Sequence, residues 1–467
     1  MRRGSERSVL LAVALCGILP PLNTTMIAVA LPRILDHLGA GVSGGGWLVA
    51  CYLIAIAPLQ PITGKLGDRY GRLPLMLTGL IAFGICSVGA ALSPSLPVLI
   101  VMRVLQGLSG ALIFPNATGL IRELIPAERR ARAFGLFGSV IGISAAVGPP
   151  IGGGLTSALG WRSIFLVNVP VCAIAAVVLV RFVGKGSGSA AVVLPTGHRA
   201  APPFDLGGAA VFSLLLGGAA ALALEGGRTG GALVVVPAAS AIGAAAVVFL
   251  RRELRHPDPV LDPRLFRLRS FAAAAGGVSF GNMALYTVLL ATPLLFERTT
   301  DWSDGRIGLA LAVLSAPTAL LSPLGGTLAD RLGRRFPATV GQAIVVVGLV
   351  PLAAWPAAPP WVVLVLLAVA GVGGGLAGAA QQAAAVESVP PQQAGVASGI
   401  FSTSRYVGGI AGAVALAGLL DGRQGTGGFS ALFAVTAVAA LAATVAGACL
   451  PAHVPSTAGE GRRSDRR

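Results

Sequence analysis

The sequence predicts an all-α membrane protein of about fourteen spans. It is read as two six-helix bundles with two additional central helices and both termini in the cytoplasm. Three observations carry this. Of the 467 residues, 55% are hydrophobic and only 11% charged, where a soluble domain carries about 25% charged residues. Apolar runs of roughly 20 residues recur from end to end, each long enough to cross a ~30 Å hydrocarbon core as a helix. In that core every backbone hydrogen bond must close within the chain, which selects helices over an open sheet. Finally, Gly64-Lys65-Leu66-Gly67-Asp68-Arg69-Tyr70-Gly71-Arg72 returns 262 residues later as Gly326-Thr327-Leu328-Ala329-Asp330-Arg331-Leu332-Gly333-Arg334, with six of nine positions identical.

Taken in order, the runs place spans at 8–31, 44–63, 74–92, 96–117, 133–157, 163–183, 206–224, 231–250, 271–296, 306–327, 338–355, 361–382, 393–418 and 429–450. The first begins after Arg2 and Arg3 and resembles a signal peptide, but no small-residue cleavage site follows, so it is read as a retained span. The first copy of the repeat follows the second span and the second copy follows the tenth, eight spans later. Duplicated six-helix halves would separate the copies by six. The two extra spans are most simply the pair between the long hydrophilic connections 184–205 and 251–270. The domains expected are therefore an N-terminal bundle (1–183), a central segment holding the inserted spans (184–270), a C-terminal bundle (271–450) and a basic tail (451–467).

Charge agrees with this layout. The net charge is +16, yet with both ends inside, 26 of the 34 Lys and Arg fall on the cytoplasmic side. That is the asymmetry of the positive-inside rule, so basicity reports topology and no nucleic-acid partner is expected. The five cysteines are scattered through apolar runs without C-x-x-C or metal spacing, which reads as packing. Lys65 and Lys185 are the only lysines, and neither lies in G-x-x-x-x-G-K-[ST], which argues against a nucleotide-driven pump. All four histidines lie outside the spans and no H-E-x-x-H occurs, so neither an enzyme nor a metal site is indicated.

The two repeated loops carry chemistry of their own. Gly64, Gly67 and Gly71 suit a tight turn between helices. Asp68 sits near the start of the next helix, where the dipole favours a carboxylate, and Arg69 and Arg72 have it or lipid headgroups as partners. Gly326, Asp330, Arg331, Gly333 and Arg334 repeat the pattern. A generic positive-inside loop explains the arginines, but not the Gly and Asp spacing or its return.

These loops resemble the cytoplasmic signature of the major facilitator superfamily, and the resemblance covers nearly the whole chain. A twelve-helix core with a central two-helix insert is similar to the fourteen-span drug:proton antiporters. So are the string Leu22 to Pro32 and the segment from Trp161-Arg162 to Asn168-Val169-Pro170. The resemblance implies a gating role for the loops, through ion pairs across helix ends. Gly148, Pro149, Pro150, Gly152 and Gly153 resemble the G-P-x-x-G-G motif associated with antiporters, with a hinge or seal as the implied role. Here small residues permit close helix contact, and paired prolines remove donors and bend a helix.

Arg103, Gln106 and Gly107 resemble the R-x-x-Q-G pattern of the fourth span. A buried arginine should face a cavity or a partner, and snorkelling to the outer interface is the plain alternative. Asn23 falls at a similar depth, where the family pattern usually has Asp. Asn accepts a hydrogen bond but cannot ionise, which puts proton coupling in question. Arg405 falls near mid-membrane, while every Asp and Glu is placed at or beyond a helix end. Two cations without an anion predict an anionic cargo, or a neutral one rich in acceptor oxygens. Satisfaction of either arginine by backbone carbonyls is the alternative. Asn116, Asn282 and Tyr286 are further cavity candidates, the last two sharing a helix face. Gln342, Gln381 and Gln382 are weaker ones, and interhelical hydrogen bonding is an equal reading for each.

The expected function is secondary transport by alternating access between the two bundles around a midplane site. The expectation is proton-coupled efflux of a small drug or metabolite across the cell membrane, with the proton gradient as energy source, no cofactor and no obligate protein partner. The alternatives are a facilitator or symporter without proton exchange, and a receptor that keeps the fold but does not transport.

Overall fold

The computed structural model of the protein describes residues 3–124, 127–185, 205–229, 231–257, 259–390, 393–421 and 426–452. Most of the expected 184–205 connection and of the basic tail lies outside these. Among the described residues fourteen helices are long and apolar enough to cross a membrane, and every regular element is helical.

The first half comprises α1 (Arg3–His37), α2 (Val42–Ile56), α3 (Leu59–Tyr70), α4 (Arg72–Ala91), α5 (Leu96–Leu124), α6 (Ala127–Leu159), the short α7 (Ser163–Leu166) and α8 (Asn168–Lys185). The second span is divided into α2 and α3 at Pro58, which lacks the N–H that a continuous helix needs there. The inserted pair is α9 (Leu206–Thr229) and α10 (Gly231–Arg255). A 3₁₀ turn (Pro263–Arg267) leads into the second half: α11 (Arg269–Thr299), α12 (Asp304–Leu332), α13 (Arg335–Ala354), α14 (Pro360–Glu387), α15 (Ala394–Leu420) and α16 (Gly427–Ala448).

Packing repeats with the sequence. The main contacts of the first half pair α2 with α5, α4 with α5, α1 with α6, α4 with α8 and α1 with α8. Their counterparts in the second half pair α12 with α14, α13 with α14, α11 with α15, α13 with α16 and α11 with α16. Two reciprocal seams join the halves, α6 against α12 and α2 against α15, with α1 against α11 between them. That reciprocity is what a twofold relation between the halves produces.

The apolar core is continuous across both halves towards the outer side, running from Ile27, Leu31 and Leu48 to Leu294, Leu311 and Leu416. On the cytoplasmic side the second half builds a separate core around Phe271, Ala384 and Phe401. The outer core is thus shared by both halves and this inner one belongs to the second half, while Gly399 and Thr403 of α15 still meet Pro61 and Ala57 of the first. Arg33 on α1 reinforces the outer closure, its Nε lying 3.1 Å from both Oδ1 and Oδ2 of Asp304 on α12.

The inserted pair joins the core through α9, which packs on α2 and α15. Trp47 Nε1 donates to Glu225 at 3.3 Å. At the cytoplasmic base Asp205 accepts the Gly208 backbone N–H at 2.7 Å and a two-pronged contact from Arg252, at 2.6 Å for each prong. This Arg252 contact holds the Asp205 carboxyl well below its ordinary value of 3.8, at about 2. Val260 and Ala209 pack there against Ile62 of α3, so the insert braces the helix that carries the first signature.

Candidate functional site

Residues from α2, α3, α5, α11 and α15 converge where the halves meet. Arg103 on α5 is 1% exposed. Its Nε donates to the Leu48 carbonyl at 3.3 Å and its Nη1 to Gln106 Oε1 at 2.9 Å. Gln106 passes the chain on to Ser87 Oγ at 2.8 Å. The guanidinium lies over the Tyr52 ring, 4.2 Å from its centroid. Arg103 therefore has a carbonyl, an amide and a ring as partners within the first half. Gly107 is what lets α5 approach, since a Cβ there would stand 2.7 Å from the Tyr52 carbonyl.

Three of the four tyrosines in the chain gather beside it. Tyr52, Tyr286 and Tyr406 lie within electrostatic range of one another, and Tyr52 and Tyr286 within range of Arg103. Tyr286 and Tyr406 lie within range of Arg405. Gln60 donates across the seam from α3 to the Tyr406 hydroxyl at 3.1 Å. The Tyr286 ring is close to Gly409, where a Cβ would lie 3.3 Å from it. Arg405 is half-buried, with the Phe401 ring 5.6 Å away. Among the described residues no group of three or more His, Cys, Asp and Glu side chains gathers as a metal site would require.

Asn23 and Arg103, expected at one depth, are not joined by a hydrogen bond. Asn23 Oδ1 instead accepts from Asn168 Nδ2 on α8 at 3.3 Å, and both side chains are fully buried. Asn23 Nδ2 and Asn168 Oδ1 have no further partner. Asn282 donates to the Val278 carbonyl of its own helix at 3.0 Å. Gln342 and Gln381 are buried against Gly281 and Gly277 of α11, while Gln382 is exposed. Asn116 belongs elsewhere: its Nδ2 donates to Thr63 O at 3.2 Å, and its Oδ1 fills the space beside Gly67. It positions the first signature helix.

The signature turns are tighter than the glycine spacing suggests. α3 runs through Gly64 and Gly67, and only Gly71 turns, with φ 91°. α12 likewise runs through Gly326 to Leu332, and Gly333 turns with φ 82°. Such positive φ values suit glycine alone. The Arg72 side chain lies across Gly119 of α5, Arg69 packs over Tyr70, and the Asp68 side chain lies outside the described residues. In the second copy Arg334 bridges Asp330 at 2.6 Å and Glu387, at the end of α14, at 2.5 and 3.0 Å. The Glu387 contact above all raises the Arg334 pKa above its ordinary value. Asp330 and Arg331 are themselves exposed.

The Gly-Pro-Pro segment forms the outer junction of α1, α6 and α12. α6 passes through Pro149 and Pro150 unbroken. Gly148 packs on Thr25, and a Cβ on Gly152 would lie 2.8 Å from the Met26 Cα. Gly153 faces Asp304 and Gly308 across the seam, and Gly308 in turn faces the Pro149 carbonyl. Through Gly153 and the Pro149 carbonyl the motif meets the second half by backbone contact.

Sequence reading passed over Tyr52, Gln60, Tyr406 and Asn168 as site residues. The available signal was that three tyrosines fall inside apolar spans, where an amphipathic ring seeks a polar neighbour.

Comparison with known proteins agrees with this architecture. The family model described as Major Facilitator Superfamily matches residues 13–273 and 271–466. The chain is 33% identical to the uncharacterized MFS-type transporter YvkA of Bacillus subtilis, over 94% of this chain and 95% of the relative. It is 32% identical to the multidrug resistance protein Stp of Mycobacterium tuberculosis, over 85% and 73%. It is also 32% identical to the tetracenomycin C resistance and export protein of Streptomyces glaucescens, over 91% and 77%. Among solved structures, a bacterial homolog of the human lysosomal transporter Spinster, inward-facing and unoccupied, superposes with a TM-score of 0.67 at 17% identity, over 96% of this chain and 98% of that one. With fourteen apolar helices, twofold-related halves and relatives of this kind, the chain belongs to the major facilitator superfamily and is a multi-pass membrane transporter.

Proposed function

We propose that the protein exports a small organic molecule, a drug or a metabolite, from the cytoplasm across the cell membrane by alternating access, drawing on the proton gradient. The observation that carries this reading is the polar aromatic cluster lying between two halves that share an apolar core on the outer side, while on the inner side the second half has a core of its own. On this reading cargo reaches the cluster from the cytoplasm, and separation of the Gly153–Gly308 and Arg33–Asp304 contacts opens it outward. Relatives named for multidrug resistance and for tetracenomycin C export support the direction. A cluster with two guanidiniums and, among the described residues, no carboxylate favours an anionic or neutral cargo.

A second reading, facilitated transport or symport without proton exchange, is favoured by the Asn23–Asn168 amide pair, which cannot ionise. Energised inverted vesicles separate the two. Cargo addition dissipates the pH gradient under the first reading, whereas flux without a pH change establishes the second. Asn23→Asp, which gives Asn168 an ionisable acceptor, strengthens coupling if this position is the proton site.

A further inference from the structure

We propose that Arg405 holds the acidic group of the cargo, and that the cargo is an aromatic anion: a carboxylate or ionised phenol on a flat ring system. The inference rests on the carrier reading above and names the charge and shape of what is carried.

The two guanidiniums in the cluster are in different states. Arg103 is sealed at 1% exposure and already bonded to Leu48 and Gln106. Arg405 is half-buried. Among the described residues it has the Phe401 ring as a neighbour and no carboxylate within ion-pair range.

The faces of α15 show where Arg405 points. Gly399 and Thr403 contact Pro61 and Ala57 of the first half. Gly408 and Gly412 press on Ser279 and Met283 of α11. Gly418 faces the inserted α9 near Ala223. Between the α11 face and the first-half face lies a strip marked by Gly409, which touches both Leu53 and Tyr286. Arg405 stands one helical turn below Gly409 and so shares that strip. Ser402 and Ser398 continue it towards the cytoplasmic end, both half-buried. The space that leaves Arg405 half-exposed is therefore the interior between the halves, on the side away from α9.

An unpaired guanidinium at mid-membrane depth is costly, and ionisable groups there face a water-filled path and mark where charged cargo moves. An anion entering from the cytoplasm recovers that cost as a charge-assisted, two-pronged contact, whereas a cation meets repulsion from Arg405 and Arg103 together. Ring recognition comes from the tyrosines. Tyr286 and Tyr406 lie within electrostatic range of Arg405, and the Tyr406 hydroxyl, which accepts from Gln60, keeps its own proton as a donor for an acceptor oxygen on the cargo.

Two dyes that share one flat tricyclic body test this: fluorescein, which is anionic, and rhodamine 6G, an ester that is cationic. Purified full-length protein in proteoliposomes should move fluorescein saturably and rhodamine 6G not. Arg405→Gln should raise the KM for fluorescein about tenfold or more with kcat little changed, as loss of ground-state binding does, while Arg405→Lys keeps part of the affinity. Equal melting temperatures for both variants and the parent confirm folding. Rhodamine 6G flux without fluorescein flux overturns the anion assignment and leaves export standing. Fluorescein flux indifferent to Arg405→Gln overturns the role of Arg405. If neither dye moves while drug export from cells persists, the cargo class is wrong. If cellular export is also absent, the carrier reading has failed instead.

Discussion

Arg33 and Asp304 stand at the outer ends of helices from opposite halves, and one guanidinium nitrogen reaches both carboxylate oxygens at 3.1 Å. Each residue touches the outer seal from a different side. Arg33 continues the helix whose Met26 packs on Gly152, and the Asp304 backbone faces Gly153. Charge pairing and backbone packing therefore close the same gap.

Breaking the pair should favour outward opening. The Arg33 side chain is 52% exposed, so the contact contributes about 0.2–1 kcal/mol, equivalent to roughly a 1.5- to 5-fold change in population. Arg33→Ala and Asp304→Asn should each increase labelling of a Thr156→Cys reporter, at a position buried in this outer junction, from outside by that factor, in a background without native cysteines. The swap Arg33→Asp with Asp304→Arg should restore the parental level. Unchanged labelling in both single variants would show that the seal is made by packing alone.

Adjacent glycines should respond oppositely to alanine. A Cβ on Gly153 would come within 3.1 Å of Gly308 Cα and closer still to the Asp304 carbonyl, while a Cβ on Gly154 meets nothing within 4 Å. Overpacking of this kind costs about 1–3 kcal/mol, here charged against the closed outer state. Gly153→Ala should thus increase outside labelling of the same reporter and weaken transport. Gly154→Ala should leave both unchanged and raise the melting temperature slightly, because alanine favours a helix by up to ~1 kcal/mol over glycine. Equal effects at the two positions would refute the packing assignment.

The base of the inserted pair should add an acid-sensitive component to stability. Asp205 titrates at about 2 in the folded protein against an ordinary 3.8. A lowered carboxylate value stabilises above the ordinary value, and the contribution is lost as pH falls through the folded one. Melting in detergent should show parental protein losing stability between those two values more steeply than Asp205→Asn. The variant should also melt lower at neutral pH. Identical acid limbs would mean that the Arg252 contact does not form in solution.

The fold was legible because its signals are long: fourteen apolar runs, a charge asymmetry and a loop that occurs twice. The site was legible only where a residue is costly. Arg103 and Arg405 stand out in any apolar span, but which of them is already satisfied depends on the Leu48 carbonyl and the Tyr52 ring, and span assignment does not orient helices about their axes. Asn23 is expected at the depth of Arg103, yet its partner is Asn168, because depth says nothing about azimuth. Tyr52 and Tyr406 escaped notice because single aromatic residues in a hydrophobic stretch carry no periodic mark. The three glycines of the first signature suggested a tight turn made by all of them together. Most serve close approach, such as Gly67 beside Asn116, and one per copy makes the corner.

The inserted helices also make the two flanks of the molecule unequal. α9 lies along the α2–α15 seam, whereas among the described helices neither α9 nor α10 packs on the matching α6–α12 seam. Duplication would have given a hydrophobic compound dissolved in the bilayer two equivalent sideways approaches. With α9 laid over one seam, the two flanks that face lipid differ in this protein, and its pseudo-symmetry ends where the membrane begins.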